Sequence, residues 1–204
     1  MAIACPVDLD TLKLRAEIRS IYARVASDPS GEFHFHRGPD YAVQRLRYDA
    51  AELAKLPGSV TESFAGVGNP HAIGPLPARA TVVDIGCGAG TDLLLAAFHI
   101  GPRGRAIGVD MTEAMRDRSR SGAAACGLTH VEVREGEAIA LPVDDASVDV
   151  VISNGVLNLV PEKRVAIAEI RRILKPDGRV QIADIVVGVE LSESARQDID
   201  LWTG

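Results

Sequence analysis

The chain is short of cysteine, of positive charge and of long apolar runs, and each shortage excludes something. Its three cysteines, Cys5, Cys87 and Cys126, are too few and too scattered for a disulfide framework. They fit a reducing, cytoplasmic setting. Lys and Arg total 22 against 28 Asp and Glu, giving a net charge of −6. That balance argues against sequence-independent nucleic-acid binding, which needs a basic surface. No apolar run approaches the roughly 18 residues of a membrane span. The start, Met1 to Cys5, has neither a basic head nor a long apolar stretch, so no secretory leader is expected.

What is present suits one sizeable core: 204 residues, 47% of them hydrophobic, with no internal repeat. Two regions are expected. Residues 1–78 read as an N-terminal helical cap and loop. Leu14, Ile18, Ile21, Tyr22 and Val25 recur at helical spacing, and Pro29, Gly31, Gly38 and Pro39 then break the pattern. A second helix is expected from Asp49, with Glu52 completing a capping-box-like pair, and it stops before Pro57. Ser63 to Pro77 should be a loop. Residues 79–204 alternate strands and helices, as a parallel sheet requires. Strands are expected near 81–85, 105–110, 130–134, 148–153 and 179–187. The clearest helix runs from Pro161 to Leu174, with Ile167, Ile170, Ile173 and Leu174 as its buried stripe. Lys175-Pro176-Asp177-Gly178 reads as a turn into the last strand.

Residues 81–92 carry the most information. A β-branched run ends in Asp84, passes through Gly86, Cys87, Gly88 and Gly90, and opens into the helical pattern Leu93 to Ile100. Alternate glycines let the chain turn sharply and let a ligand lie against bare backbone. The spacing is G-x-G-x-G, not the G-x-G-x-x-G of dinucleotide sites, which disfavours a nicotinamide oxidoreductase. The plain alternative is a tight strand–helix turn. Companions follow in order: Asp110 ending the strand Arg105–Asp110, where a carboxylate reaches ribose hydroxyls; Glu135 to Ala138 after Val131–Val133; and Asn154 ending Val148–Ser153.

The segments DIGCGAG, GVDMT, GEAIALP, VVISNGVLNLVPEK and LKPDGRVQIADIV resemble class I S-adenosylmethionine-dependent methyltransferases, from Thr81 to Val187. YDAAEL, SFAGVGNP and ISNGVLNLVPEK are similar to the arsenite methyltransferase branch. The resemblance implies an α/β, three-layer Rossmann-like sheet with S-adenosyl-L-methionine as cofactor. Asp84 and the loop Gly86, Cys87, Gly88 and Gly90 would face its methionine end. Asp110 would hold the ribose, Met111 would flank the adenine, Glu137 and Ala138 would meet its edge, and Asn154 would lie below the sulfonium. The ligand's chemistry agrees. S-adenosylmethionine carries a sulfonium, an ammonium and one carboxylate but no phosphate. Asp84 and Asp92 bracket the loop, and no Lys or Arg occurs between Ala80 and Pro102.

Two departures from the resemblance stand out. Its full fold adds a final antiparallel strand pair, for which no sequence is visible here, and Ser192 to Trp202 reads as a helix. The expected sheet therefore has five mainly parallel strands. Its fifth is an open edge that the chain's own tail or a second copy in a homodimer would cover, unless the chain is a truncated product. The second departure is that Val67 and Gly155 stand where the arsenite branch carries cysteine. Arsenite needs converging thiolates, so arsenite methylation is not expected. The expected activity is methyl transfer to a small-molecule acceptor, with a cofactor-binding but catalytically silent module as the alternative.

Weaker features take plain readings. Phe33-His34-Phe35-His36 reads as an alternating edge segment, because no cluster completes a metal site around its histidines. Asp144-Asp145 reads as a solvated turn. Tyr22 and Tyr48 either close over a ligand or pack in the core. No Ser-His-Asp or paired-carboxylate spacing stands out, and methyl transfer requires none.

Overall fold

The computed structural model describes residues 10–186 and 188. Five strands, β1 (Thr81–Ile85), β2 (Arg105–Asp110), β3 (Val131–Glu135), β4 (Val148–Asn154) and β5 (Leu174–Ala183), form one sheet in the order β3-β2-β1-β4-β5. All four pairings are parallel. The winding reverses between β1 and β4, and the carboxyl ends of strands at such a reversal are where open α/β sheets bind ligands.

The core follows from strand periodicity. Val83, Ile85, Ile107, Val109 and Val151 point to one face and pack on Ala166, Ile170 and Ile173 of helix α7 (Lys163–Ile173). Val82, Ala106, Val150 and Ile152 point to the other and meet Leu93, Ala96, Ala97 and Ile100 of α5 (Thr91–Ile100). Helix α6 (Glu113–Ala125) lies beside α5 and completes the three layers. Two expectations are corrected here. Ile167 is 52% exposed. Steps of about 100° per residue put 166, 170 and 173 on one face and turn 167 away from it. The segment Lys175–Gly178 is not a turn before the strand. It is an excursion within β5, because Val148 already pairs with Leu174 and regular pairing resumes at Val150 and Arg179.

The cap contains α1 (Thr11–Ser27), α2 (Gly38–Leu46), α3 (Ala50–Leu53) and α4 (Gly58–Thr61). Asp10 caps α1 by accepting from the N–H groups of Leu12 and Lys13. Gly38 and Pro39, expected to break a helix, instead begin α2, where a proline's missing N–H costs nothing. Asp49 caps α3 through the N–H groups of Ala51 and Glu52, but the Glu52 carboxylate turns to Lys55 and His99, so the reciprocal half of the capping box is absent. A 3-10 turn, Pro70–Ile73, interrupts the expected loop. Tyr48, Leu53, Leu56, Val60 and Phe64 join Leu94 and Leu95 of α5 in one cluster, so the core of the cap continues that of the α/β layers.

Residues 33–36 form no strand. Phe33 and Phe35 pack with Tyr22, Val25 and Met115, while His34 and His36 are exposed. No group of three metal-ligating side chains occurs among the described residues. Asp145 pairs with Arg172 across 2.6 Å at the turn before β4. Among the described residues no strand joins the outer side of β5, and no helix is long and apolar enough to cross a membrane. Cys5, the helix expected at Ser192–Trp202 and the tail proposed to cover the edge lie outside the described residues.

Candidate cofactor site

The loop after β1 is shaped by its glycines and tied to its neighbour strand. Gly86 N–H donates to the Val109 carbonyl over 2.7 Å, and the Cys87 N–H reaches the same oxygen at 3.2 Å. Gly86 has φ +68, and a Cβ there would lie 2.3 Å from Val156 Cγ2. Position 86 therefore excludes side chains on both conformation and space. Asp110, ending β2, locks the next turn: its Oδ2 accepts from Gly88 N–H at 2.9 Å and its Oδ1 from Thr112 N–H at 2.8 Å.

A cavity of about 1120 Å³, including the open water at its mouth, lies over these carboxyl ends. Of the residues expected to bind a cofactor, Asp84, Gly86, Cys87, Gly88, Asp110, Met111, Glu137, Ala138 and Asn154 all line it. Gly90 does not line it. It forms the N-terminal cap of α5 with φ +101, and a Cβ there would come 2.6 Å from Ser119 Oγ. Tyr22 lines the cavity from α1, whereas Tyr48 is buried behind it in the core of the cap.

The electrostatics are one-sided. Asp84 is 2% exposed and Asp92 6%, and Asp84 Oδ2 has no hydrogen-bond partner. Among the described residues no Lys or Arg forms an ion pair with Asp84, Asp92 or Asp110. Burial, reinforced by the charges of Asp92 and Asp110, pushes the Asp84 carboxyl well above its usual range. Burial also raises Asp110, against the N–H bonds from Thr112 and Gly88. The Cys87 thiol is pushed up by the same burial and by both carboxylates, which keeps it protonated. A buried carboxyl with an unpartnered oxygen, as at Asp84, is stabilised in its ionised form by a cation bound beside it.

Ion pairs that the sequence did not signal cross the rim of the cavity. Arg15 of α1 reaches Glu137 at 3.5 Å on one rim and Glu162 at 3.0 Å on the other, while Arg19 reaches Glu137 at 2.8 Å. These partners lie more than a hundred residues from α1, and only the helix's i, i+4 spacing of the two arginines hinted at a shared face. Tyr22 beside them is pushed up to about 12, mainly by burial. On the opposite wall, Asn154 accepts from the N–H groups of Val67 and Gly68 and donates to Asp92 Oδ2 at 3.0 Å. Val67 and Gly155, the positions that depart from the arsenite branch, meet in space: a Cβ on Gly155 would lie 3.2 Å from Val67 Cγ1.

A family model described as a methyltransferase domain matches residues 77–203. The chain belongs to the class I S-adenosylmethionine-dependent methyltransferases. An arsenite methyltransferase from Halobacterium salinarum is 43% identical over 161 residues, 79% of this chain and 41% of that protein. The crystal structure of an arsenic(III) S-adenosylmethionine methyltransferase from Chlamydomonas reinhardtii matches with a TM-score of 0.63 and 35% identity, covering 71% of this methyltransferase and 51% of that one. The nocamycin O-methyltransferase of Saccharothrix syringae is 35% identical over 114 residues, 56% of this chain and 41% of that protein. This methyltransferase thus spans about half or less of these relatives. The family implies S-adenosylmethionine as its cofactor.

Proposed function

We propose that this methyltransferase carries a methyl group from S-adenosylmethionine to a small-molecule acceptor other than arsenite. The observation that supports the cofactor reading most is the buried Asp84 oxygen without a partner, beside Asp92 and Asp110 and without a Lys or Arg to pair them. That donor set fits a ligand bearing a sulfonium and an ammonium. Asp84 and Asp92 would hold the cationic end and Asp110 the ribose, with Met111, Glu137 and Ala138 around the adenine. When bound, S-adenosylmethionine supplies a methyl on a sulfonium, whose leaving group is a neutral thioether.

The chain's own contribution is alignment and exclusion of water. Ile18, Phe64 and Leu159 make much of the wall apolar, and α1 roofs it through Arg15. Holding reactants aligned in a dry pocket lowers the barrier by several kcal/mol without a dedicated base. Val67 against Gly155 offers no thiolate to an arsenic centre, and Cys87, the one cysteine lining the cavity among the described residues, sits in the cofactor loop with its thiol held protonated. Arsenite remains the second reading, favoured by the names of the relatives.

Calorimetric titration with S-adenosylmethionine, S-adenosylhomocysteine and NAD tests the cofactor. Binding of the first two alone supports the reading, and binding of NAD or of none overturns it. Conversion of S-adenosylmethionine to S-adenosylhomocysteine with arsenite plus thiol, set against small-molecule extract, then separates the acceptors. No turnover with either leaves a silent cofactor-binding module.

A further inference from the structure

His71 is a buried imidazole that neither the fold nor the proposed chemistry uses. It sits in the Pro70–Ile73 turn, which is fixed by the Asn69 cap and by Gln181 of β5, whose Nε2 donates to the carbonyls of Pro70 and Gly74. Its side chain is 10% exposed. Nε2 lies 3.2 Å from Asp92 Oδ1 but is not aligned as a hydrogen bond, and Nδ1 also has no partner. The other partners of Asp92 are neutral donors: the Tyr48 hydroxyl at 2.6 Å and the Asn154 amide at 3.0 Å. Among the described residues, His71 is therefore the basic side chain that stands within 4 Å of the Asp92 carboxylate.

We propose that His71 is a positioning residue that sets the charge available at Asp92 and makes the grip on the cationic cofactor depend on pH. The inference rests on the cofactor reading above. Protonated, His71 pairs with Asp92 and cancels the attraction for a ligand cation; neutral, it leaves the carboxylate free. By linkage, a cation bound beside Asp92 expels the proton from His71. The surrounding groups are few. Asp92 and His99 face His71 from α5, and the His99 ring stands edge-on at 5.3 Å. Tyr48 precedes α3, His99 reaches Glu52 of α3 at 3.2 Å, and Asn154 comes from β4. Asp84 of β1 adds negative charge near Asp92, and Arg179 of β5 is engaged by the Pro75 carbonyl.

The test is calorimetry of the full chain with S-adenosylmethionine and S-adenosylhomocysteine from about pH 5.5 to 8, in two buffers of different ionisation heat, for the wild type and His71→Gln. The variant keeps a neutral donor beside Asp92. Wild-type affinity should weaken roughly tenfold at the acid end, with proton release on binding, a difference of about one pKa unit in linkage. His71→Gln should flatten that slope and lose that share of the released proton, while the slope from Asp84 and Asp110 stays common to both. A purely structural role would move neither. Equal slopes, or wild-type binding without proton release, overturn the proposal. Should the variant misfold, imidazole NMR of the wild type decides: S-adenosylhomocysteine should lower the His71 titration midpoint, and an unmoved midpoint overturns it. A wild type that binds neither ligand at any pH refutes the cofactor reading itself, and the proposal with it.

Discussion

Asn154 at the end of β4 holds Asp92 at the start of α5: its Nδ2 donates to Asp92 Oδ2 over 3.0 Å while its Oδ1 accepts from Val67 N–H at 2.8 Å and Gly68 N–H at 3.1 Å. One amide thus joins the sheet, the helix that follows the glycine loop and the Val67–Gly68 segment. Replacing it by Ala leaves two backbone N–H groups unpartnered. Asn154→Ala should lose about 1–3 kcal/mol of stability in a urea titration and raise KM for the acceptor. Unchanged stability would show that water takes over the network.

Asp110 carries two backbone hydrogen bonds and borders the cavity. Asp110→Ala should weaken S-adenosylmethionine binding about tenfold or more, the scale of lost charge-assisted bonds. An unchanged dissociation constant would sink the ribose assignment.

The raised Asp84 carboxyl has a consequence for the free protein. Its folded value lies above the ordinary 3.8 because of burial, so the native state binds this proton more tightly than the unfolded chain. Below the unfolded value both states are protonated and no penalty applies. As pH rises beyond it, the free protein loses stability until the folded group ionises. Asp84→Asn should therefore raise Tm of the free protein near neutral pH, flatten that part of the pH profile and abolish cofactor binding. A lower Tm near neutral pH would contradict this account.

The roof is held by exposed and half-buried ion pairs, so its effect should be kinetic. Arg15→Ala removes contacts to Glu137 and Glu162. Dissociation of S-adenosylhomocysteine, followed by stopped flow, should accelerate about two- to fivefold, the range of two partly exposed pairs. Added salt should bring the wild type toward the variant, because screening weakens the same contacts. Identical rates would mean that α1 stays closed by its apolar face alone.

The strands, their order of appearance and the glycine loop were legible because local rules write them: β-branched runs, alternate glycines and an acid at or next to the end of β1, β2 and β3. Nine of the ten expected cofactor residues line one cavity for the same reason, as parallel strands deliver their ends to one edge of the sheet. Gly90 lies outside that lining, and spacing alone does not show that its missing side chain makes room for Ser119 at the start of α5. Likewise α2 was hidden behind Gly38-Pro39, a pair that stops helices and also starts them.

By itself the sequence determined the sheet, the family resemblance and the acidic, phosphate-averse character of the loop, because these depend on residues near one another in the chain. Only the tertiary structure decided that Arg15 spans the mouth between Glu137 and Glu162, that Val67 closes on Gly155, and that His71 lies beside Asp92. Each joins residues far apart in sequence, and their contacts are set by how the cap packs onto α5 and the sheet, which no local pattern encodes.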